Sequence, residues 1–288
     1  MPGLSPVPAP GPGRRPPGTV AGVNEQPRIS PVAVLLVAAV AALAGAAGLA
    51  VSWSLLGAGP TSATAPVGAS AGTDDAEGWA PWARNDDGRP VQWDPCSPIE
   101  LVVDPEGAYP GFRRDLDEAT AEIATISGID VQVVDEVSER PDARRDVFQP
   151  DRYGQRWAPV LVAFAEPGEN DLPLTDVDRG LASPVAVGPA GDRVYVTGQV
   201  VFNVERTELR PGSDDRADSW GSTLRHELGH LVGLAHTPHE DELMHTYPGQ
   251  GPVRWGEGDR RGLEALGEGP CRDVPAPRHL DVEVGPPA

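Results

Sequence analysis

The chain has 288 residues, a formal net charge of −20, and 23 basic side chains, all of them arginine. This acidic balance excludes the basic patches with which nucleic-acid binders grip phosphate, so no nucleic-acid partner is expected. The 34 glycines and 33 prolines approach low-complexity levels, so part of the chain is expected to stay unfolded, while 39% hydrophobic content suffices for one core.

Residues 1–30 are rich in Pro and Gly and carry Arg14, Arg15 and Arg28 against Glu25. They cannot bury enough apolar surface to offset their ordering entropy, and read as a disordered cytoplasmic N-terminus. Val32–Val51 is then free of any polar side chain. As a helix it would be about 30 Å long, the thickness of a bilayer core, so residues 31–56 read as a transmembrane signal-anchor. Arginines lie before it and Asp74, Asp75 and Glu77 after it, which orients the bulk of the chain outward. A cleaved signal peptide is the competing reading, with Ala63-Thr64-Ala65 as its cleavage site, although such apolar stretches usually run about 7–15 residues. The chain is therefore expected either as a single-pass protein of the cell membrane with its domain outside, or as a secreted one. Residues 57–90 read as a linker or stalk, in which Trp79 and Trp82 await packing partners.

The folded domain is assigned to residues 91–272 and a flexible tail to 273–288. Cys96 and Cys271 bracket that domain, and an oxidising exterior permits a disulfide between them. Closing so long a loop is worth about 4–5 kcal/mol in the chain-entropy model. The alternative, a Cys96 thiolate masking a metal, fits less well because that cysteine leads straight into a strand.

Within the domain, strands are expected at Ile99–Asp104, Ile129–Asp135, Val160–Ala165, Gly180–Val187 and Arg193–Asn203, on β-branched runs broken by turn residues. A helix is expected at Pro110–Ser127, where Phe112, Leu116, Ala119, Ile123 and Ile126 recur at helical spacing up to Gly128. Further helices are expected at about Asp218–Leu234 and Asp259–Leu266. The order predicts an α+β fold, a mixed twisted sheet backed by an active-site helix and a C-terminal helix.

The richest stretch is His226-Glu227-Leu228-Gly229-His230-Leu231-Val232-Gly233-Leu234-Ala235-His236. His226 and His230, four apart, share one helical face and suit a tetrahedral zinc. Gly233 can end the helix at positive φ and turn the chain so that His236 becomes a third ligand. Three neutral ligands leave the fourth position to water, with Glu227 beside it as the general base. One zinc is expected. Glu169, Asp171, Asp176 and Asp178 crowd a loop that could take calcium, though without EF-hand spacing. His239 and His245 flank the motif without ligand spacing, and His279 lies in the tail.

This pattern resembles the metzincin metalloproteases. Met244, in Leu243-Met244-His245, resembles the methionine turn of the matrixin branch, and Asp259–Gly267 looks like the matrixin closing helix. The chain departs from matrixins at His245-Thr246, which stands where Tyr-Pro is frequent, and has no cysteine-switch propeptide. The resemblance implies a zincin-like fold, with Gly233 and Met244 as structural support and Glu227 as catalytic residue. It implies a zinc-dependent endopeptidase acting on extracellular proteins or peptides. A monomer is expected, attached to the membrane through residues 32–51. The alternative is a catalytically silent, membrane-tethered zinc-binding interaction module. The strand around Val194–Asn203, or the preceding Gly180–Val187, is the candidate edge for pairing with an extended substrate, and Pro248 a candidate pocket wall.

Overall fold

Five strands and three long helices follow from the alternation of apolar runs and turn residues in the described part of the chain. We describe them from a computed structural model, covering residues 78–212, 218–245 and 254–280. In chain order they are β1 (Ile99–Val103), α1 (Phe112–Ser127), β2 (Val131–Glu136), α2 (Pro150–Tyr153), β3 (Val160–Ala165), β4 (Gly180–Val187), β5 (Val194–Asn203), α3 (Trp220–Val232) and α4 (Glu257–Gly267). Each expected strand and long helix is present, with ends shifted by at most two residues. The single turn α2 and a 3-10 turn at Glu169–Asp171 were not expected. Both are too short for a hydrophobic period to develop.

The sheet order is β2-β1-β3-β5-β4. β1 pairs in parallel with β2 and β3, and β3 with β5, whereas β4 runs antiparallel to β5 with Leu181 opposite Val201. β5 is thus interior and β4 is the edge. Of the two strands considered for substrate pairing, only β4 has a free side; β5 spends its backbone groups on both neighbours.

α1 and α3 cover one face of the sheet. Leu101, Val103, Val162, Phe164 and Phe202 meet Phe112, Leu116, Ile123, Leu224 and Leu228 in the main core. Every residue of β3 is buried, as a central strand sandwiched on both faces requires. Among the described residues, the other face carries only short turns of helix, α2 and the 3-10 turn Glu169–Asp171. The connection between β2 and β4 covers it, placing Leu172 and Leu174 on Leu181 and Val201, and Val137 and Tyr153 on Val102 and Leu161.

From the stretch read as stalk, Trp79, Trp82 and Ala83 are buried in the main core. The beginning of the expected tail is docked too. Trp157 donates its ring N–H to the Pro275 carbonyl at 2.9 Å, and Leu280 packs against Val147 and Val185. His279, though mostly exposed, reaches Asp146 and the ring of Phe148. Cys96 and Cys271 form the expected disulfide, which ties the strand entry of β1 to the segment after α4. The apolar run Val32–Val51 lies outside the described residues, among which no helix is long and apolar enough to cross a membrane.

Candidate metal centre

α3 begins at Ser219, whose hydroxyl accepts the Ser222 N–H at 3.1 Å. This side-chain cap satisfies one of the free donors of the first turn. The whole helix is buried. His226 and His230 leave its second half one turn apart. Gly233 then sits at φ 123°, a conformation costly for any other residue, and its N–H closes the helix on the carbonyls of Gly229 and His230. The chain reverses there and brings His236 back to the two helical histidines.

The three rings converge. His226 Nε2 lies 3.0 Å from His236 Nε2 and 3.1 Å from His230 Nε2, and the third side of the triangle is 3.3 Å. Nitrogens bound at about 2.0–2.1 Å to one tetrahedral zinc stand about 3.3 Å apart, so the triangle has the size of a zinc face. The other ring nitrogens are held from outside. His226 Nδ1 contacts the Leu243 carbonyl at 2.8 Å and His230 Nδ1 the Leu234 carbonyl at 2.9 Å. A carbonyl only accepts, so each Nδ1 carries the proton and each Nε2 presents a lone pair inward. Burial pushes His226 down to about 4 and His230 well below the usual imidazole range. Neutral rings with lone pairs aimed at one point repel each other unless a cation lies between them, so the donor set fits zinc.

Glu227 follows the first histidine and is buried at the start of the edge strand. A Cβ on Gly180 would lie 2.8 Å from Glu227 Cγ, so the carboxylate arm rests on the bare backbone of β4. Burial, with Asp178 adding a like charge, pushes this carboxyl up to about 8.

Met244 is 1% exposed and packs against α3 at Gly229. Its sulfur fits there because residue 229 lacks a side chain: a Cβ on Gly229 would stand 2.6 Å from Met244 Sδ and 3.1 Å from the Trp255 ring. Met244 is also fastened to the segment that carries His236, since Thr237 donates its N–H to the Met244 carbonyl at 2.9 Å. Gly229 was not picked out in the sequence, although a glycine inside a helix costs about 1 kcal/mol and so asks for a reason. Gly229→Ala should overpack this contact, destabilising the domain by about 1–3 kcal/mol and weakening zinc binding. Urea midpoints and chelator competition check this, and wild-type values in both would show that Met244 moves aside freely.

The other expected ligands do not gather. Among the described residues, the side chains that converge as a metal group would are the three histidines and Asp94 with Cys96 and Cys271. In the second group both sulfurs are committed to the disulfide. The calcium loop therefore finds no support: Glu169 pairs with Arg140 at 2.8 Å, Asp178 caps Thr175, and Asp171 and Asp176 are exposed. His239 is exposed and His245 half-buried, both apart from the triad. Pro248 lies outside the described residues.

No family model matches the sequence, and no curated protein does. Among solved structures the chain is similar to archaemetzincin from Methanopyrus kandleri, at 17% identity and a TM-score of 0.36. That alignment covers 59% of this chain and 95% of the other.

Proposed function

We propose that the chain is a zinc-dependent endopeptidase whose metal is held by His226, His230 and His236. The observation that carries this reading is the closed triangle of three Nε2 atoms with a buried carboxylate, Glu227, one residue past its first corner. When bound, zinc would supply Lewis acidity toward a carbonyl oxygen and bring the pKa of water down toward about 7.

The chain's own residues do the rest. Glu227 takes a proton from the attacking water and delivers it to the leaving amine nitrogen. Gly180 keeps that carboxylate against the first residue of β4. The open side of β4 then offers backbone groups to an extended peptide, whose scissile bond is carried past Glu227. Met244 and Gly229 support the histidines. The position of Met244, eight residues beyond His236, and the helix that follows support the matrixin-like branch of metzincins. The topology belongs to the same proposal: an anchor at Val32–Val51, a domain facing the exterior, and extracellular proteins or peptides as substrates, in a compartment where the Cys96–Cys271 bridge persists.

The test is metal content followed by cleavage of a degenerate peptide library. One zinc per chain and cleavage that a chelator abolishes and zinc restores are expected. Stoichiometric zinc without any cleavage would instead favour the silent binding module, and absence of zinc would overturn both.

A further inference from the structure

The third histidine, His236, lies beyond the end of α3, on the loop that follows Gly233. Its neighbours supply the support. Thr237 is tied to Met244 on one hand, and Ala235 donates its N–H to the Ala80 carbonyl at 2.8 Å on the other. Trp82 N–H returns a 2.6 Å bond to the Gly233 carbonyl, and Pro81 bridges Leu234 in antiparallel fashion. The Trp82 ring meets the ring of His230 edge-on, with centroids 5.0 Å apart. The segment Gly78–Ala83 thus lies along the loop that carries the ligand as a second short strand.

It is bolted there by Trp79, which is buried in a groove between Leu234 and α4. The groove exists because residue 262 has no side chain: a Cβ on Gly262 would come within 2.6 Å of Leu234 Cδ2 and 2.8 Å of Trp79 Cδ2. The far end is held as well, since the Gly78 carbonyl accepts from Thr237 Oγ1 at 3.4 Å.

We propose that Gly78–Ala83 is a strap belonging to the metal centre, with Trp82 as a positioning residue for His230 and the strap backbone positioning His236. This rests on the zinc reading above. It makes the end of the expected stalk a working part of the site. Cutting the chain within 78–83 disarms the centre, and a release that preserves activity has to occur before residue 78.

Coupling between two sites is reciprocal, so if the strap sets the ligands, zinc must steady the strap. Hydrogen exchange of the full chain, with zinc and with chelator, measures this. Exchange over residues 78–84 should slow at least tenfold on zinc binding. An unchanged rate there, with slowed exchange over 226–236, would overturn the strap while leaving the zinc site standing. Absence of zinc binding altogether would sink the underlying reading. In parallel, Trp82→Ala should weaken zinc about tenfold, the usual effect of losing a group that orients a ligand. It should also shift the visible spectrum of the cobalt-substituted protein. Trp82→Phe should restore both to near wild type, and Trp157→Ala should change neither. Wild-type affinity and spectrum in Trp82→Ala would refute the positioning role, and exchange in the unmodified chain decides the matter if that variant does not fold.

Discussion

Replacing Glu227 by alanine should lower peptide cleavage about a thousandfold while one zinc per chain stays bound, because a positioned general base typically contributes 10²–10⁴-fold. The carboxylate is not one of the three converging ligands, so its loss leaves the nitrogen triangle intact. Glu227→Gln should fall as far: it keeps the shape but cannot take a proton at working pH. Gly180→Val offers a second approach that leaves the carboxyl in place. A side chain there would strike Glu227 Cγ and turn the arm away from the strand. It should therefore lower kcat far more than zinc affinity. Zinc stoichiometry, kcat and KM on one cleaved peptide decide the case. More than a tenth of wild-type activity in Glu227→Ala would remove the residue from the proposed chemistry.

How much of this was readable from the sequence differs by kind of residue. The strands were, because Val160–Ala165 and Gly180–Val187 are apolar runs bounded by turn residues, and local pattern is enough to place them. The convergence of His226, His230 and His236 was, since helical periodicity and one glycine determine where the three rings point. The strand order was not. That β5 is interior and β4 the edge is a matter of long-range pairing, which no local run of residues encodes. Trp79 and Trp82 looked like parts of a stalk because Gly, Pro and acids surround them. They are core residues because α4 presents bare backbone at Gly258 and Gly262, where the chain can lie close. Glu242 and Asp259 were equally opaque, since nothing in either segment announces that two acids seventeen positions apart will be buried together.

Those two acids lead to the other large expected effect. Glu242 accepts the backbone N–H groups of Gly258 and Asp259 at 2.8 Å each, which caps the start of α4. Asp259, 1% exposed, accepts in return from Leu243 at 2.6 Å, Gly256 at 3.1 Å and Met244 at 3.4 Å. Leu243 is the residue whose carbonyl holds His226 Nδ1, so a single peptide unit links Asp259 to the metal site. Asp259→Ala leaves three buried donors without an acceptor, and should cost about 3–5 kcal/mol of stability and about tenfold or more in zinc affinity.

The pH dependence gives this site a sign of its own. Burial, and then the like charge of Glu242, push the Asp259 carboxyl from its ordinary 3.8 up to about 7. The folded chain then binds a proton there that the unfolded chain releases. The resulting stability is complete below about 4 and is lost as pH rises toward 7, at about 2–4 kcal/mol in all. Glu122, held below its ordinary 4.5 by Arg225, and His226 and His230, pushed down by burial, work in the opposite direction. Glu227, pushed up to about 8, adds to the decline, so the difference between wild type and variant isolates Asp259. Asp259→Asn imitates the protonated acid and should flatten the decline between pH 4.5 and 7. Urea midpoints of the metal-free proteins across that range provide the comparison. Curves that run parallel for the wild type and Asp259→Asn would mean that Asp259 ionises in the fold as easily as in water, and that its burial beside Glu242 does not disfavour the carboxylate.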